Sequence, residues 1–590
     1  MKKIKLLTAI VATCFCFSCN KQLDLETDGR ITMDQVFSDY NGTRGYLNSC
    51  YGYCPAPYID RSSFTDEAQD ADDITPGSRY INWYGGSVTT LTYPAYSADG
   101  SPWGSLYTGI GNCNVFLESI KTATVYATNE EKGGWIAQAL TLRALYYLQL
   151  IKRYGGVPIF DKPLEINHDF SSDKKAKFSE VVKFILTDCD KALSYPNTRD
   201  GFHWDINGNI QFSMMTRGVA YAIKSEAVTY AASPLWSDGT YTWAMATDIN
   251  KEALSQCITN GGYKLFDVVP ASTVAQNPYA LYCFTSSNDQ RSVDKETIYQ
   301  GGWQMQIWKY AGMPTNPGMD KAGPCPTQDL VDSYEMANGE TPIVGYSDAS
   351  RLVPTINAAS GYDEANPYNG RDPRFYASIY YNGAVRYLDQ PTGKMVETFV
   401  GGTEEISDIS RINTRTGYYL RKFNNYKSGI STTADGAIRL FRLAELYLNF
   451  AESANQSVGP DVAVTTTGFS MSAKDAVSAV RARAGMPAFP LGMSKAAFET
   501  KYRNERRIEL AFEEHRFFDV RRWKILDQTD KFVTGMRITK TGSVLKYNRF
   551  KLTDRNCSST KYLMYPIDQA EVDKVIGNTG VNWQNPGWLD

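Results

Sequence analysis

Apolar positions recur at helical spacing over long parts of this chain. Residues 135–154 read WIAQALTLRALYYLQLIKRY, with no Gly or Pro inside. Leu140, Ala144, Tyr147 and Ile151 fall on one face, which predicts an amphipathic helix. Gly155, Gly156 and Pro158 stop it. Residues 178–193 predict a second helix, with Val181, Ile185, Asp188 and Ala192 in one row and Phe184 and Leu193 widening the apolar side. The two read as a helical hairpin. Residues 216–232 with 243–259, and 438–455 with 473–484, repeat the arrangement, and a charged helix follows from about 498 to 514. Small residues such as Ala144, Ala220 and Ala451 allow close helix approach. Stacked pairs of this kind suggest tetratricopeptide-like packing.

Two regions break the helical pattern. Residues 54–112 are rich in Gly, Pro, Ser and Tyr, and residues 261–436 are long, aromatic and turn-rich. Loops of that length inside a compact protein carry function or pack as a subdomain. The expected fold is therefore mostly α: a tetratricopeptide-like scaffold (mainly 35–53, 105–260 and 437–523) with inserted, partly β, loop-rich regions (54–104 and 261–436). A C-terminal segment covers 524–590, and 35–590 reads as one unit.

The amino terminus sets an expected compartment. Lys2, Lys3 and Lys5 precede a 12-residue apolar run, Leu6 to Phe17, the pattern of a secretory leader and too short to span a bilayer. Ser18 then Cys19 resembles a lipoprotein processing site, although Cys16 stands where Leu is commoner. The expectation is a signal peptide over 1–18, acylation at Cys19 and a tether over 19–34, which anchors the chain without a spanning helix. Cys14 is the weaker alternative, because it shortens the apolar run. Eight later cysteines show no metal spacing and read as single buried thiols.

Composition narrows the chemistry. Apolar residues are 43% and charged residues 21% of 590, ordinary for a globular chain. A net charge of −3 removes the electrostatic case for nucleic acid. Only His168, His203 and His515 are present, with no metal-ligand spacing and no triad signature, so neither a metal, a cofactor nor a catalytic residue is expected. The acidic stretch Asp66, Glu67, Asp70, Asp72 and Asp73 lacks the calcium-loop pattern and reads as a solvated loop. The excess is aromatic: 39 Tyr, 26 Phe and 11 Trp. Most single Tyr residues should pack helix interfaces, but Tyr and Trp faces also suit sugar rings.

Ordered motifs then carry a family resemblance. LRALYYLQLIKRYGGVPI (142–159), PTQDLVDSYEMANG (326–339), RDPRF (371–375), TGYYLRKF (416–423), RLAELYLNFAESAN (442–455), VRARAGMP (480–487), NERRIELAFEEHRFFDVRRW (504–523), YLMYPI (562–567) and QNPGW (584–588) occur in that order. The chain resembles the SusD/RagB family of outer-membrane nutrient-binding lipoproteins. The resemblance implies a helical scaffold with an irregular binding subdomain, a SusC-type TonB-dependent transporter as partner, anchoring at the outer face of the outer membrane, and no catalysis.

The strongest motifs read as scaffold. In 504–523 both signs alternate, which reads as an intrahelix and helix-to-loop ion network, and Arg506 lies three before Glu509, within pairing reach on a helix. Arg371, Asp372 and Arg374 should fix a turn, and Thr327 should cap a helix that buries Leu330 and Tyr334. Candidate ligand residues come instead from two aromatic clusters: Arg79, Asn82, Trp83 and Tyr84, and Trp303, Gln306, Trp308 and Tyr310. An extended backbone would put Gln306, Trp308 and Tyr310 on one side. Glycan capture is the leading function. Oligopeptide capture on the same architecture, a surface glycoside hydrolase and a pure assembly scaffold are the alternatives. No carboxylate separation can be read from the sequence, and a hydrolase requires one.

Overall fold

The computed structural model describes residues 31–204, 213–269, 277–284, 292–301, 306–315, 318–386, 393–424 and 436–588. Cys19 and Trp303 lie outside them. The longer helices are α1 (Trp103–Ser119), α2 (Asn129–Tyr154), α3 (Phe178–Leu193), α4 (Arg217–Ala232), α5 (Trp243–Thr259), α6 (Leu443–Ser457), α7 (Ala473–Ala484), α8 (Lys495–Glu509), α9 (His515–Arg522) and α10 (Gln569–Thr579). Each of α1 to α7 packs on the next. The α5–α6 contact spans the whole insertion between them, so the stack is continuous in space although the chain is not. This is the expected tetratricopeptide-like scaffold.

Local chemistry explains the long helix α2. The Thr128 hydroxyl accepts from Glu131 N (3.1 Å) and Gly155 closes the other end at φ 72°. Its pairing with α1 needs Gly109, where a Cβ would lie 2.7 Å from the Tyr146 ring. Arg143 of α2 grips Asp188 of α3 with two bonds of 2.8 Å, and Lys152 of α2 reaches Glu226 of α4. Among the described residues no helix is long and apolar enough to cross a membrane.

The insertion packs on a second core of its own. Leu330, Tyr334, Phe375 and Tyr418 meet Ile59 and Ile307 there, together with Met536 and Ile538. The last two come from a hairpin, β1 (Phe532–Thr541) and β2 (Val544–Asp554), with a bulge at Val533/Thr534. Every sheet among the described residues has two strands. One of them pairs Ala68–Asp70 antiparallel with Pro324–Pro326. That short ladder draws the front loop onto the inserted one.

The charged motif pairs along a helix at Arg522–Asp519 (2.8 Å), but most of its ions pair with other elements. Arg506 bonds Asp519 at 2.8 Å, while Glu509 accepts from Arg374, Arg442 and Arg483. The ions are buried, so the best partners come from other elements that can surround them on all sides. Asp372 caps the Pro373–Ser378 helix, and Arg371 donates to the carbonyls of Val331, Tyr334 and Pro367. Thr327 caps Gln328–Ser333 as expected, with Leu330 and Tyr334 buried. The eight cysteines are free, and all except Cys54 are buried.

Candidate functional site: a face built on Lys321

The first aromatic cluster forms a short helix, Arg79–Gly85, capped by Ser78. Its spacing splits the cluster in two. Tyr80, Trp83 and Tyr84 turn inward; Arg79 and Asn82 stay half-exposed. Trp83 is 1% exposed and lies against Phe64 and Tyr562, each with ring centroids 5.0 Å away. The Tyr84 hydroxyl donates to Ser63 O (2.8 Å) and accepts from Asp70 N (3.1 Å). Trp83 and Tyr84 are therefore core residues, a correction to their expected place at a ligand. Arg79 donates to Asp60 (2.7 Å) and to the carbonyls of Ser97 and Ala98.

The second cluster is not extended. Ile307–Tyr310 is one helical turn, closed by Lys309 N and Tyr310 N donating to Gln306 O. Ile307 anchors it in the second core. Trp308, Lys309 and Tyr310 are half-exposed and Gln306 is exposed. Residues two apart on such a turn point about 200° apart, so Trp308 and Tyr310 do not share a face. The Lys309 ammonium lies over the Tyr310 ring, 5.3 Å from its centroid.

Lys321 joins the two clusters. Asp320 N donates to Lys309 O (2.8 Å) and Gly312 N to Lys321 O (3.2 Å), so the chain returns beside the Trp308 turn. The buried Lys321 ammonium then reaches Asp70 (3.2 Å), Asp72 (3.3 Å) and the Tyr80 hydroxyl (3.4 Å). Burial alone would pull this ammonium down, but Asp70, Asp60 and Asp72 outweigh it and hold it above its ordinary value. Arg411 completes the rim, 2.6 Å from Asp72 and 3.3 Å from Asp320. The acidic stretch is therefore not a solvated loop. Its four aspartates are held by Lys321, Arg411, Arg415, Arg507 and Arg516, and Glu67 is buried.

The outcome is a polar region in which half-exposed Trp308 and Tyr310 project from two sides of one turn, near the exposed Gln306 and the ion pairs around Arg79, Asp72, Asp320 and Arg411. Such groups can stack on an apolar ring face and hydrogen-bond hydroxyls. Asp72 and Asp320 are both bound to Arg411. Local sequence gave no sign of Asp320, Lys321 or Arg411, which are brought to Asp72 only by tertiary folding. Tyr58, 41% exposed, lies in a stretch that packs beside Gly301 through Pro55 and Pro57. It sits inside a region the composition had marked.

Elsewhere, Glu226, Glu445 and His515 bring potential metal donors together in the interior. Lys152 bonds Glu226 there, and Arg506 lies close enough to act on both Glu445 and His515. Two cations against the site disfavour a divalent ion.

Comparison with known proteins decides the family. A model described as the SusD family matches residues 282–588. The chain belongs to the SusD family. A second model, described as starch-binding associating with outer membrane, matches residues 57–198. SusD-like protein P2 of Formosa agariphila is 24% identical over 440 residues, 72% of this chain and 71% of that protein. SusD-like protein P38 of the same organism is 22% identical over 175 residues, 30% of this chain and 34% of that one, so this match spans about a third of its length. A SusD-like protein from Bacteroides fragilis superposes with TM-score 0.74 at 24% identity, over 94% of this chain and 98% of that one. A SusD-like carbohydrate binding protein from the same species gives TM-score 0.65 at 21% identity, over 92% and 99%. These likenesses establish the fold.

Proposed function

We propose that this SusD-family chain captures glycan at the cell surface and passes it to a SusC-type TonB-dependent transporter, without cleaving it. Residues 1–18 are removed, and acylated Cys19 anchors the mature chain to the outer membrane. The face around Trp308 and Tyr310 takes the sugar, with Gln306, Arg79 and Arg411 bonding hydroxyls. The observation that carries the reading is the pair of half-exposed aromatics beside fixed ion pairs, in a family with a starch-binding model and a carbohydrate-binding structural neighbour. Trp303, in the same stretch of chain, belongs to the proposal as a further platform.

Affinity electrophoresis of the chain from residue 20 onward, against plant, host and microbial polysaccharides, tests it. Retardation by one glycan class without breakdown products is expected. Release of shorter sugars would establish a hydrolase instead. Calorimetric binding of oligopeptides with no glycan retardation would move the ligand class to peptides.

A further inference from the structure

A cavity of about 420 Å³ opens between α1, the segment 158–173 and α10. It shares no lining residue with the Trp308 face. Tyr107 and Phe160 form one corner of it, their rings 5.8 Å apart and inclined at 67°. The Tyr107 hydroxyl donates to Pro158 O (2.8 Å), which fixes that ring. Phe170 stands at the mouth, 47% exposed. Lys162 and Asn578 add polar groups to the rim. Aromatic walls with a polar rim match a ring that has apolar faces and polar edges.

Two glycines keep one wall of the cavity open. Gly104 and Gly111 both line the cavity from α1. Glycine weakens a helix relative to alanine, so a helical glycine needs a reason. Gly109 has one, because a Cβ there would strike Tyr146. A Cβ at Gly104 or Gly111 would meet no atom within 4 Å, as at the helical glycines Gly45 and Gly85, so both leave open space beside α1, and these two face the cavity. Bare backbone facing a cavity is what close approach of a ligand requires.

We propose that this cavity is a second carbohydrate site, in which a sugar ring packs into the Tyr107–Phe160 corner and approaches the α1 backbone at Gly104 and Gly111. The inference rests on the glycan reading of the chain and adds a second contact for a long polysaccharide. The test uses the glycan that retards the chain most in the panel above. Gly111→Leu fills the cavity, and Gly104→Ala with Gly111→Ala serves as the folding control. The alanine pair should melt at or above the parent temperature. Gly111→Leu should weaken retardation at least threefold, and should remove what survives in a Trp308→Ala background. Parent-like retardation of Gly111→Leu in both backgrounds would overturn the second site while leaving the first. If no glycan retards the parent chain, the glycan reading itself fails, and this site with it.

Discussion

Trp83 and Trp308 are the same residue type in two physical states. Trp83 is enclosed by Phe64, Tyr93, Phe517 and Tyr562, and its loss opens a cavity in the main core. Trp83→Ala should cost about 3–5 kcal/mol in urea unfolding. A change under about 1 kcal/mol would mean that the site is not packed as described. The difference was partly legible in the sequence. Tyr80, Trp83 and Tyr84 stand at the i, i+3, i+4 spacing of a buried helical stripe, and the flanking glycines drew attention to a loop instead. Glu445 shows a second residue-scale effect. It is 1% exposed, and neither carboxylate oxygen has a hydrogen-bond partner. Burial, followed by the Glu226 charge, pushes it from 4.5 up to about 8. Below 4.5 both the folded and the unfolded chain keep the proton. Between 4.5 and about 8 only the unfolded chain releases it, so stability is lost as pH rises through that window. Glu445→Gln has no proton to release. Its melting temperature relative to the parent should rise between those pH values and then level off. A pH-independent difference would contradict the assignment.

The helical elements were the most legible part of the chain. Phe178–Leu193, Trp243–Thr259 and Ala473–Ala484 lie where the apolar spacing places them. Helix α1 falls almost wholly inside the expected scaffold from 105 onward, but no apolar row marked it as a helix of its own, because Gly104, Gly109 and Gly111 interrupt its pattern. The C-terminal hairpin carried its own signal, a Gly542–Ser543 turn between two alternating runs, with Gly542 at φ 61°. What spacing could not supply was the wiring between elements. Arg374 lies at 0% exposure between Asp372, Glu505 and Glu509. Arg374→Met would strand buried carboxylates and should cost about 3–5 kcal/mol in chemical denaturation. A neutral result would show that the network adds nothing that an apolar side chain cannot replace. The same wiring sets acid stability. Burial opposes ionisation of Glu513, but Arg442 and Lys422 prevail and hold it down at about 2. Its contribution is present above the ordinary 4.5 and is lost as pH falls towards about 2.

The whole molecule separates two tasks. A continuous helix stack forms the scaffold, and the insertion between α5 and α6 meets the front loop at the candidate face. The fold was legible because many ordered motifs resemble one family, and those motifs turn out to be the buried wiring. The face was legible only in part. Trp308 and Tyr310, candidates from the sequence, are half-exposed, but their neighbours at 72, 79, 320 and 411 come from distant stretches of chain. No local pattern marks such residues, because tertiary folding alone makes them neighbours. The central claim is that sugar is held at the Trp308–Tyr310 turn rather than at Trp83. Titration of Trp308→Ala with the retarding glycan, alongside its thermal unfolding, tests that claim most directly. A loss of about 1–2 kcal/mol in binding with an unchanged melting temperature is the predicted result. Parent-like affinity for Trp308→Ala, at an unchanged melting temperature, would contradict it.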